Sequence, residues 1–70
     1  MEILHFKTNI SSPIGIQAIW DSLKVLGVNK FNIDFWDVDN ILKVMADQFI
    51  SSEKIIEVIC RLGYHCEELK

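Results

Sequence analysis

The apolar residues of this chain switch between a period of two and a period near 3.6, and the order of those switches constrains its fold more than any single residue does. From Ile3 to Ile10, β-branched and aromatic residues alternate, with Leu4, Phe6, Thr8 and Ile10 on one side and Ile3, His5 and Lys7 on the other. That pattern predicts a strand. Ser11-Ser12-Pro13 then offers hydroxyls that can cap free backbone N–H groups, and a proline suited to a first helical position, so a helix is expected to open there. Ile16, Ile19, Trp20, Leu23 and Leu26 follow the i, i+3, i+4, i+7 spacing of one buried face, opposite Gln17, Asp21 and Lys24. Gly27 supplies the stop.

From Lys30 to Phe35 the period returns to two, with Phe31, Ile33 and Phe35 facing one way and Asn32 and Asp34 the other. Asp37-Val38-Asp39-Asn40 is turn chemistry, and Ile41 to Met45 alternates again, so the pair reads as a β-hairpin. Ser51-Ser52, followed by Glu53 where a helix N-terminus favours negative charge, opens a second helix that buries Ile55, Ile56, Ile59 and Leu62 and ends at Gly63. Tyr64 to Leu69 is long enough for a last strand. Strand, helix, strand, strand, helix, strand predicts an α+β ferredoxin-like βαββαβ sandwich: a four-stranded antiparallel sheet with two helices on one face and solvent on the other. Residues 1–70 are expected to make a single domain.

Half of the residues are apolar, which places the chain in the globular class. Seven basic against ten acidic residues give a net charge of −3, and the basic ones are scattered, which argues against nucleic acid and against anionic lipid as partners. No apolar run approaches the roughly 20 residues that span a bilayer, and Met1-Glu2-Ile3-Leu4-His5 lacks the basic and apolar regions of a signal peptide. A cytoplasmic location is therefore expected. Two cysteines, Cys60 and Cys66, are too few for a disulfide framework and are expected to be reduced thiols.

Gly27-Val28, Phe31-Asn32-Ile33-Asp34 and Arg61-Leu62-Gly63-Tyr64 occur in an order and spacing that resembles the heavy-metal-associated domains of copper chaperones and of metal-transporting ATPase N-termini. The resemblance covers nearly the whole chain. In that family the first strand ends in Gly-Met-Thr-Cys-x-x-Cys. Aligning the apolar positions puts Ile10 where the family has Met, and puts Ser12 and Gly15 at the two cysteine positions. The resemblance thus implies a degenerate copper-chaperone-like domain, with Ile10, Ser11, Ser12, Gly15 and Tyr64 around a loop that has lost its metal ligands. Cu(I) and structural zinc select thiolate or imidazole donors, and this loop offers neither, so no cofactor is expected there.

A relocated metal site, for copper or zinc, could draw on Cys60, His65 and Cys66, in one chain or completed by another. Against it, adjacent strand residues point to opposite faces, and Cys66 lies two residues after Tyr64 in the core-facing phase. Cys60 falls on a flank of the second helix as a partly covered thiol, and the spacing is not Cys-x-x-Cys. His5 is placed on the open sheet face, unless a bulge turns it inward. Asp34, Asp37 and Asp39 crowd the hairpin but lack the Gly and closing Glu of an EF-hand loop, so turn formation is their expected role. Trp36, next to inward-facing Phe35, should face out and could join Ile41 and Met45 in an apolar patch for a partner or a second copy.

Paired catalytic groups and a phosphate loop are both missing from the sequence, so an enzyme is not expected. A single-stranded RNA platform on the open sheet is opposed by the acidic balance and the lack of the aromatic motif. The expectation is a non-catalytic module that binds another protein or itself, with a metal chaperone or sensor as the alternative.

Overall fold

The computed structural model describes residues 2–69. In chain order the elements are β1 (Glu2–Thr8), α1 (Ile16–Val25), β2 (Lys30–Ile33), β3 (Leu42–Ala46), α2 (Ser52–Arg61) and β4 (Cys66–Leu69). The strands form one sheet of order β2-β3-β1-β4 in which every neighbouring pair is antiparallel. This is the ferredoxin-like βαββαβ arrangement, with both helices on one face.

The register follows from which residues must leave water. Leu4 and Phe6 stand opposite Val44 and Leu42, and Phe31 and Ile33 take the same two partners from the other side. A slip of one residue would turn this apolar layer out to solvent, so the pattern holds the pairing. Ile19 and Leu23 of α1 and Ile55 and Ile59 of α2 close over it, buried with Phe6, Leu42 and Val44. Each such side chain contributes roughly 1.5–3 kcal/mol.

Several boundaries differ from the sequence reading. The first helix starts at Ile16, not at Ser11-Ser12-Pro13, and neither serine caps it. Gly15 precedes it in the left-handed region at φ 85°, where a helix cannot run, and the Pro13 carbonyl accepts from the Ile16 N–H instead. The second strand stops at Ile33 because Asp34 turns the chain, its carboxylate accepting from the Trp36 N–H at 3.0 Å. Phe35 still packs on the core. The third strand is shifted one residue onward, and the last begins at Cys66 instead of Tyr64. Leu62, expected inside, is 37% exposed, because it is the C-cap of α2 and lies past the last buried turn. His5 is exposed on the open face, opposite Lys43 and Leu69. Among the described residues no helix is long and apolar enough to cross a membrane.

Candidate interaction surface at the loop end

β1 and β2 finish, and β4 starts, at the same end of the sheet. The β1–α1 loop, the β2–β3 hairpin and the α2–β4 turn therefore meet there, and Thr8 joins the first two. Its N–H donates to the Asp39 carbonyl at 3.0 Å, and its hydroxyl donates to the Asn40 carbonyl at 2.6 Å while accepting from the Ile10 N–H at 3.2 Å. A polar side chain in the core-facing phase of β1 thus finds all its partners, which is the condition for burying it. Asn9 joins the third segment, its side-chain oxygen accepting from the His65 N–H at 2.7 Å. Tyr64 completes the ring by donating its hydroxyl to the Ile14 carbonyl at 3.4 Å.

Within this frame the aligned loop is filled. Ile10 is completely buried and anchors the loop in the core. Ser11 and Gly15 are exposed, and Ser12 and Tyr64 are half-buried. A β-carbon on Gly15 would stand 2.9 Å from the Tyr64 hydroxyl, so that hydroxyl occupies the room a side chain would need. Apolar groups rim the same end: Ile14 is 82% exposed, Val38 93% and Trp36 97%. Trp36 does not share a patch with Met45. Ile41 accepts from the Asp34 N–H beside the hairpin, whereas Met45 lies toward the other end of β3 between Ile3 and Lys30, and both are half-buried.

The three hairpin carboxylates are used locally. Asp37 accepts from the Asp39 N–H at 2.7 Å, and Asp39 pairs with Lys7 at 3.6 Å. His65 and Cys66 point apart, His65 exposed beside Glu67 at 3.6 Å and Cys66 buried. Burial, and then the neighbouring Cys60, push the Cys66 thiol up to about 12, so it stays protonated. Cys60 is exposed, not partly covered, because it sits on the solvent side of the last turn of α2. Among the described residues no group of three or more His, Cys, Asp or Glu could hold a metal ion.

The chain is similar to solved structures. The yeast copper transporter domain Ccc2a, determined in apo and Cu(I)-loaded states, matches with a TM-score of 0.81 and 25% identity, over 100% of this chain and 97% of that one. The Atx1–Cu(I)–Ccc2a complex matches with a TM-score of 0.78 and 22% identity, again over 100% and 97%. The chain has a heavy-metal-associated-like fold. No family model and no curated protein matches the sequence.

The aligned loop carries no thiol or imidazole. Hydroxyls on Ser11 and Ser12, a tyrosine already bonded to a carbonyl and a glycine offer no soft ligand, and the buried thiol is held in its unreactive form. Sequence reasoning missed Thr8, Asn9, Ile14 and Val38. Thr8 alone left a signal, as a polar residue between apolar Phe6 and Ile10 in the inward phase of the first segment. It missed as well a groove of about 350 Å³ between α1 and β2, lined by Ile16, Gln17, Trp20, Asn29, Lys30 and Phe31.

Proposed function

We propose that this chain is a non-catalytic interaction module: a heavy-metal-associated-like domain, spanning residues 1–70, whose loop has lost its metal ligands and whose loop end binds another protein. The observation that carries the reading is the loop end itself. Where a metal-carrying loop would need two thiols, this one has Ser12 and Gly15, the latter under the Tyr64 hydroxyl, and the rim presents Ile14, Trp36 and Val38 to solvent. Exposed aromatic and aliphatic groups on a rigid frame are what protein contacts use. One similar structure is a complex of two proteins with Cu(I), which supports a protein partner for a domain of this shape. A cytoplasmic setting, in which both thiols stay reduced, belongs to the same reading.

Two measurements test it. Titration of the reduced protein with Cu(I) against a competing chelator should leave the metal on the chelator, and tight one-to-one capture would overturn the loss of ligands. Partner capture should weaken in Trp36→Ser, and equal capture by both forms would overturn the loop-end assignment. A second reading keeps a metal role at a relocated site that uses the Cys60 thiol, which is exposed and open to a ligand from another chain. It requires that Cu(I) capture appear in the titration and vanish in Cys60→Ser.

A further inference from the structure

β2 is an edge of the sheet, and its outer side is unpaired. Asp34 stands opposite Ile41 and donates its N–H to that carbonyl at 2.9 Å. In an antiparallel ladder such pairs alternate, so Asn32 also turns its backbone groups toward Lys43 of β3. The N–H and C=O groups of Phe31 and Ile33 then point away from the sheet, and no partner for them exists among the described residues. The edge has no proline to blunt it, and the α1–β2 groove runs along it, floored by the Trp20–Phe31 stack at 5.5 Å.

We propose that this edge pairs with the same edge of a second copy, antiparallel about a two-fold axis through Asn32, to give a continuous eight-stranded sheet. The register is chosen by charge. With Asn32 opposite its own equivalent, Phe31 faces Ile33 of the other copy, and their outward N–H and C=O groups form four backbone hydrogen bonds. Lys30 of each copy then faces Asp34 of the other on the open sheet face, where both are exposed: Lys30 has no ion pair among the described residues, and Asp34, just past the strand end, keeps its second carboxylate oxygen beyond the one that accepts from the Trp36 N–H. Shifting the register by two residues in either direction loses both charge pairs.

The opposite edge does not offer this. β4 carries Glu67 and Glu68 in succession, so self-pairing there would bring carboxylates together. Pairing β2 with the β4 of another copy would be head-to-tail and unclosed, whereas the β2 pairing closes on itself. The proposal uses the side of the molecule formed by α1 and β2, and does not depend on the loop end.

The experiment is sedimentation of the full chain up to about 1 mM, with Lys30→Asp, Asp34→Lys and the double variant alongside. The unsubstituted chain should dimerise. Each single reversal should weaken dimerisation by about tenfold, since it sets like charges face to face twice, and the double variant should restore it. Amide exchange at Phe31 and Ile33 should slow as concentration rises. A chain that stays monomeric overturns the proposal, as does a dimer indifferent to both single reversals. Protection of those two amides in a monomeric chain, by an added peptide of alternating Val and Glu, would reassign the edge to a foreign strand and overturn it equally. Far-ultraviolet circular dichroism of each variant checks that the fold is kept.

Discussion

The hydroxyl of Tyr64 stands 2.9 Å from the place a β-carbon on Gly15 would take, while it donates to the carbonyl of Ile14, fifty residues away in sequence. One residue thus closes the aligned loop against any side chain at its last position. The backbone agrees, since φ at Gly15 is +85°, a conformation that other residues adopt only at a cost.

Gly15→Ala should therefore lower stability by roughly 1–2 kcal/mol, and Tyr64→Phe should return part of that loss by removing the hydroxyl. Urea denaturation of the two single variants and the double variant measures the coupling. Strict additivity would show that backbone strain alone is responsible.

Thr8→Val keeps the shape of the side chain but removes the group that bridges Ile10 and Asn40. The Ile10 N–H is then buried without a partner, and a loss of about 1–3 kcal/mol is expected, with faster amide exchange at Ile10. Thr8→Ser should retain the hydrogen bonds and most of the stability.

The two thiols should behave differently. Cys60, exposed, should exchange with an aromatic disulfide reagent at once, whereas Cys66 should wait for the chain to open. The alkaline limb of stability follows from the same burial. The Cys66 thiol titrates near the ordinary value of 9.0 when unfolded and at about 12 when folded. Between those values the unfolded chain releases a proton that the folded chain retains, so stability should be full below the lower value and fall as pH rises toward the upper one. The slope is at most about 1.4 kcal/mol per pH unit. Cys66→Ala should flatten that limb in denaturation curves taken across the window.

Trp36→Ser should change folding stability by less than about 0.5 kcal/mol, because the side chain is 97% exposed. Acrylamide should quench Trp36 far more than Trp20, which is half-buried against Phe31. Loss of the quenchable signal in Trp36→Ser checks this directly.

How much of this was legible beforehand depends on whether the cause lay nearby in sequence. Ile19, Leu23, Ile55 and Ile59 face inward as their spacing predicts, because a helix carries its period within itself. The start of α1 did not follow its local signals. Ser11, Ser12 and Pro13 are good opening residues, but the path of the chain past them is set by Tyr64 and His65, which bond to Ile14 and Asn9 across fifty residues and more. Thr8 showed as a polar residue in an inward phase, but its partner Asn40 lies 32 residues away and left no local sign. The free edge of β2 is a property of strand order, which alternation along one strand does not encode.

Thr8 has one more consequence. Because it fastens the β1–α1 loop to the hairpin, Ile14 on one side and Trp36 and Val38 on the other are carried on a braced lip instead of on two independent tips. A partner that docks there meets a surface already in its bound shape and need not freeze it, so little ordering entropy opposes the association. Loosening Thr8 should then weaken binding even though Thr8 is buried and touches no partner.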